Sequence, residues 1–228
     1  MFLNHIEIWG ILINEPGSFI SDLIMGIACL FFYFRLLSKS VNKQHKQLSY
    51  FFLFFALTSI IGAFAHGFNY IFGMSLHILS WSCSGFAVYF LLAGSSGLIT
   101  NQWLKNAYNI FNIFQLSLLI LLILIHPSFA IAKISMAFSL AGIILPLYIV
   151  DTIKNSYLTN LYIFFAIAIA CIPAIFHTIE FEFGYIFNMN DLSHFTLILV
   201  FYFVYLGLEK RFFTNTLPET MGEEKIRA

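Results

Sequence analysis

Seven apolar stretches of about twenty residues each, separated by short polar connections, run through this chain. They fall at residues 19–38, 48–68, 75–97, 107–125, 129–150, 158–176 and 192–209. Peptide groups in hydrocarbon find no water to bond, so runs of this length are stable only as helices that satisfy their own backbone. The chain is accordingly read as an all-α integral membrane protein. A seven-helix transmembrane bundle spans residues 1–211, and a polar tail follows at 212–228. Composition agrees, with 60% of the residues hydrophobic and 10% charged, against about 25% charged in an average soluble domain.

The balance of charge removes other classes. Eleven basic and eleven acidic residues cancel, so nucleic acid is not an expected partner. Cys29, Cys83 and Cys171 all sit in apolar runs without a C-x-x-C pair, which argues against a disulfide framework or a zinc ribbon. Residues 1–17 lack a basic n-region and carry Glu7 and Glu15. They are read as a short outer segment in the interface, with Trp9 at headgroup level, rather than a cleavable signal. Short connections make one domain of antiparallel neighbours, and no inverted repeat of the transporter kind is visible. Pro146 and Pro173 are expected to kink the fifth and sixth spans.

Orientation follows from the lysines and arginines. Arg35, Lys39, Lys43 and Lys46 follow the first span, Lys105 the third, Lys154 the fifth, and Lys210, Arg211, Lys225 and Arg227 the seventh. All but Lys133 of the eleven basic residues therefore fall on one side. That side is the cytoplasm, which puts the N-terminus outside and the tail inside. The expected location is a multi-pass protein of the inner or plasma membrane if the chain is bacterial.

With that topology the titratable residues gather in one layer. Glu15 and Asp22 open the first span, His66 closes the second and His77 begins the third. His126 ends the fourth, His177 the sixth, and Asp191 and His194 begin the seventh, with Glu180 and Glu182 just before it. Between Thr58 and Ser84, Ser59, Gly62, Ala63 and His66 share one helical stripe, and His77, Ser80 and Ser84 share another. A charge in hydrocarbon costs about 2.5–3.5 kcal/mol on insertion scales, so such residues pair, bind metal or line a wet cavity. Three imidazoles from three helices, His66, His77 and His194, match the ligand set of a catalytic zinc site. Asp22 or Asp191 then serves as fourth ligand or as the base orienting a metal-bound water, with Glu15 beside them.

Plainer readings stand beside these. Ser18 can be a helix cap after Pro16, and Asp191 a partner for the helix dipole. His177, Glu180 and Glu182 can be a wet loop. His126 can be an interfacial residue, and Gly62, Ala63, Ser80 and Ser84 close-packing small residues.

The layout resembles the CREST superfamily of seven-helix membrane proteins, which includes alkaline ceramidases and the progestin and adiponectin receptor group. That family carries Ser-x-x-x-His near the end of the second helix, an Asp about eleven residues later, and His-x-x-x-His at the start of the seventh. His66 occupies the second-helix His position, and His194 in NDLSHFTLILVFYFVYLG resembles the second His of the seventh-helix pair. The opening EPGSFISDLIMG looks like the acidic entry to the ceramidase first helix. The chain departs at three positions: Gly62 stands at the Ser, His77 at the Asp and Asn190 at the first His of the pair. His77 restores the count of three imidazoles. The resemblance implies a zinc-holding bundle whose enzymes hydrolyse the amide bond of ceramide-type lipids.

The leading expectation is a metal-dependent hydrolase that cleaves a lipid amide or ester at an outward-facing intramembrane site, with zinc as cofactor and a membrane lipid as partner. The alternative is a non-enzymatic receptor, transporter or lipid-binding protein on the same scaffold. A haem-bearing electron carrier is a third class, with His66 and His194 as bis-histidine ligands. A retinal pigment is disfavoured, because the seventh span holds no lysine for a Schiff base.

Overall fold

The computed structural model describes residues 5–155, 158–179 and 189–214. Its α-helices are α1 (Pro16–Leu37), α2 (Lys43–Gly67), α3 (Asn69–Phe72), α4 (Ser75–Ser95), α5 (Gln102–Ile125), α6 (Phe129–Ala137), α7 (Leu145–Asn155), α8 (Leu161–Ile179) and α9 (Met189–Thr214). Among the described residues, six helices are long and apolar enough to cross a membrane: α1, α2, α4 with the turn after it, α5, the rod Phe129–Asn155, and α9. The expected span at 158–176 corresponds to a shorter apolar helix, Leu158–Pro173. At about 1.5 Å per residue, the 22 residues of α1 reach across a hydrocarbon core about 30 Å thick. Glu180, Glu182, the side chain of His177 and residues 215–228 lie outside the described residues.

Local chemistry sets the ends. Asn42 caps α2 by accepting from the His45 amide at 2.9 Å, which starts that helix at Lys43, well before its apolar run. Asn101 does the same for α5 through Leu104 N–H at 3.1 Å. Ser18 does not cap α1. Glu15 takes that position with φ 41 and ψ 59, and Pro16 follows as the first helical residue.

The N-terminal segment is a β-hairpin. β1 (His5–Ile8) pairs antiparallel with β2 (Ile11–Asn14), joined by Trp9 and Gly10 at φ 52 and 79. Two positive φ values in a two-residue loop define a type I′ turn, whose twist matches that of the strands. The Trp9 side chain projects from the tip, 97% exposed.

In the rod Phe129–Asn155, α6 and α7 are joined by a π-helical turn at Phe138–Ile144, immediately before Pro146. Proline removes one N–H and its ring crowds the carbonyl four residues back. The wider turn is where the rod absorbs that conflict.

α2 lies between α1 and α4, while α9 packs on both α1 and α8. The main core is rich in aromatic rings and comes largely from α1, α2, α4 and α9. Phe32 stacks on Tyr205 at 4.8 Å, and Phe55 meets Phe201 at 4.5 Å. Such pairs add about 0.5–1.5 kcal/mol beyond the area they bury. α5 and the α6–α7 rod are peripheral and keep large apolar side chains exposed, among them Ile110, Phe114, Ile125 and Ile134. At the end of the bundle away from the hairpin, Glu209 of α9 accepts from Lys39, with Arg35 4.0 Å away.

Candidate functional site

At the hairpin end, α1 presents one polar stripe. Glu15, Ser18, Ser21 and Asp22 recur at helical spacing, and the last three are at most 4% exposed. α9 faces this stripe and α2 lies alongside it. All six candidate residues of the sequence are brought together here.

Glu15 Oε2 lies 2.8 Å from Nδ1 of His66, at the end of α2. That hydrogen bond from His66 holds the Glu15 carboxyl below the usual glutamate range, against the opposing effect of burial. Asp191 is fully buried in the first turn of α9, and its Oδ1 accepts from Ser18 Oγ at 2.8 Å. It therefore serves as more than a partner for the helix dipole. His194, one turn further along α9, has Nδ1 2.9 Å from Ser21 Oγ and Nε2 3.5 Å from Asp22 Oδ1. The His66 ring stands 5.2 Å from the ring of His77 on α4 and 6.3 Å from that of His194. His77 in turn lies 5.7 Å from Trp81.

Ser21 Oγ donates to the Ser18 carbonyl at 3.2 Å and is hydrogen-bonded to Nδ1 of His194 at 2.9 Å. The Glu15 carboxylate accepts from Nδ1 of His66. In both rings the partner on Nδ1 fixes the orientation of the imidazole, as in metal sites where an outer acceptor holds a ligating histidine.

Gly62 makes room for the carboxylate. A Cβ there would meet Asp22 Oδ2 at 3.0 Å and Ser80 Oγ at 3.4 Å. Ser80 donates across the interface to the Thr58 carbonyl of α2 at 2.9 Å, whereas Ser84 bonds within its own helix, to the Trp81 carbonyl at 2.7 Å. His126 is exposed at the end of α5 and makes no contact with the cluster among the described residues.

The donor chemistry, imidazoles with a buried carboxylate, is that of a zinc site. The geometry is gathered but not closed. Among the described residues, no three His, Cys, Asp or Glu side chains are grouped as a bound ion requires. Holding one would need the rings to turn toward a common point. Ser21 belongs to no motif that marks it in the sequence, and Ser18 beside Pro16 reads as a cap. The signal that finds both is the Glu15, Ser18, Ser21, Asp22 spacing, which lays four polar side chains along one helix edge.

Fold and site together define a predominantly helical protein with several membrane-length apolar helices and a partly buried carboxylate–imidazole cluster at one end. Residues 18–211 match the model of a family described as a family of unknown function, DUF6962, and the chain belongs to that family. The match takes in every member of the cluster except Glu15. No curated protein and no solved structure matches the chain.

Proposed function

We propose that this chain is a divergent CREST-like seven-span membrane protein, N-terminus outside, that hydrolyses a lipid amide or ester with zinc at the His66–His77–His194 cluster. One observation carries the reading: Nε2 of His194 and a carboxylate oxygen of Asp22 stand 3.5 Å apart, with the His66 ring 6.3 Å from that of His194. A ring nitrogen and a carboxylate oxygen so placed are held together by a proton or a cation between them.

His66 and His194 would supply Nε2 donors, His77 the third imidazole and Asp22 an oxygen. Zinc, when bound, supplies Lewis-acid polarisation of a carbonyl. The chain's own residues do the rest. Glu15 and Ser21 fix the two rings through Nδ1. Asp22 exchanges a proton at Oδ1, and the buried Ser18–Asp191 pair locks α1 to α9 beside it.

The alternative, a non-enzymatic receptor, transporter or lipid-binding protein, draws on a different observation. Glu15, Asp22 and Asp191 each already face an imidazole or hydroxyl of the protein itself, an arrangement that is also that of a structural or proton-carrying network. Metal analysis and lipid turnover on the purified chain separate the two. The hydrolase reading expects about one zinc per chain, lost in His66→Ala or His194→Ala, together with acyl release from an amide or ester lipid. Folded, metal-free protein that releases no acyl chain leaves only the alternative.

A further inference from the structure

A second polar site lies at the opposite end of the bundle, outside the histidine cluster and independent of the reading above. A cavity of about 510 Å³ opens between α2 and α5 over α4, lined by Lys43, Gln44, Gln47, Lys105, Asn109 and Asn112 among others. Its volume lies within the roughly 300–1,000 Å³ of small-molecule sites. Side-chain amides and two lysines dominate its polar wall, and among the described residues no Asp or Glu lines it.

Nearby Lys39 is held by Glu209, but among the described residues neither Lys43 nor Lys105 has an acidic partner within ion-pair distance. Lys43 is the first residue of α2, and Lys105 lies in the first turn of α5. The positive ends of two helix dipoles therefore add to the two ammonium groups. Asn112, 2% exposed, is fixed by donating to the Tyr89 carbonyl at 3.0 Å. Beside the cavity, Ile113 continues into the exposed Ile110 and Phe114 of α5, an apolar surface suited to acyl chains.

We infer that this cavity binds a phosphate-bearing anionic group, held by Lys43 and Lys105 with amide donors from α2 and α5. A phospholipid headgroup and a soluble phosphate ester present the same chemistry, and the test distinguishes them. Calorimetric titration of the full chain in neutral detergent would use three probes: dioctanoyl phosphatidic acid, dioctanoylglycerol, which lacks the phosphate, and glycerol 3-phosphate, which lacks the acyl chains. Phosphatidic acid is expected to bind and dioctanoylglycerol not. Lys43→Gln and Lys105→Gln should each weaken binding roughly fivefold, the effect of one basic residue near a membrane surface. Lys154→Gln, on α7 and outside the cavity lining, should leave it unchanged. Glycerol 3-phosphate binding as tightly, with the same losses, assigns the soluble ester, and much weaker binding assigns the lipid. A thermal transition unchanged in the variants shows that the fold is kept. The inference is overturned if the Lys43→Gln/Lys105→Gln double variant binds phosphatidic acid like the parent, if Lys154→Gln weakens binding equally, or if dioctanoylglycerol binds as well.

Discussion

At the scale of single residues, the hairpin end of the bundle is organised by what each imidazole nitrogen faces. Ser21→Ala removes the hydroxyl 2.9 Å from His194 Nδ1 and leaves the ring free to turn; on the proposed zinc reading it should cost roughly 10–100-fold in zinc affinity, read by competition with a chelator. The same variant should lower the thermal transition only modestly, because a single neutral hydrogen bond is worth about 1 kcal/mol. Gly62→Val drives added carbons into Asp22 Oδ2, which stands 3.0 Å from the site of a Cβ. Asp22 is 4% exposed and faces His194, so it has little room to yield. Overpacking of this kind costs about 1–3 kcal/mol, measurable as a lowered melting temperature.

Glu15 gives the pH test. Its carboxyl is held below the ordinary 4.5 by His66. The stabilisation from the pair is therefore present in full above pH 4.5 and is lost as pH falls through the lowered value. Thermal melts should show parent and Glu15→Gln differing most above pH 4.5 and converging in stronger acid. A difference that grows on acidification would contradict the pairing.

At the scale of elements, helix existence was legible because one constraint dominates: backbone in hydrocarbon must bond to itself. Helix ends were less so, since they depend on single polar side chains that a count of apolar residues passes over. Asn42 is the case in point. It starts α2 five residues before the apolar run, and Asn42→Ala should destabilise the protein by about 0.5–2 kcal/mol in chemical or thermal melts. The hairpin was not legible, because Trp-Gly is not one of the usual type I′ pairs and its strands are short. The π-helical turn could be foreseen only as a kink at Pro146. In the cluster, the participants were legible from charge and position, but their pairing was not. Which carboxylate meets which histidine is set by rotations of α1 and α9 that only packing decides. Serines, which serve equally as small packing residues, gave no sign of orienting a ring.

At the scale of the whole molecule, the asymmetry between enclosed α2 and peripheral α5 and α6–α7 gives the bundle a tight side and an apolar, exposed side. The distribution of lysine and arginine further predicts that the hairpin end is extracytoplasmic. A membrane-impermeant thiol reagent should label Trp9→Cys in intact cells and Lys154→Cys only after lysis, and the reverse pattern would invert the proposed topology.

The junction between hairpin and bundle has no spare link. Asn14 is paired to His5, the next residue is the carboxylate that grips His66, and the one after it is the first of α1. The Trp9 tip is therefore joined to the His66 imidazole through paired strands and a single carboxylate, with no unstructured residue between them.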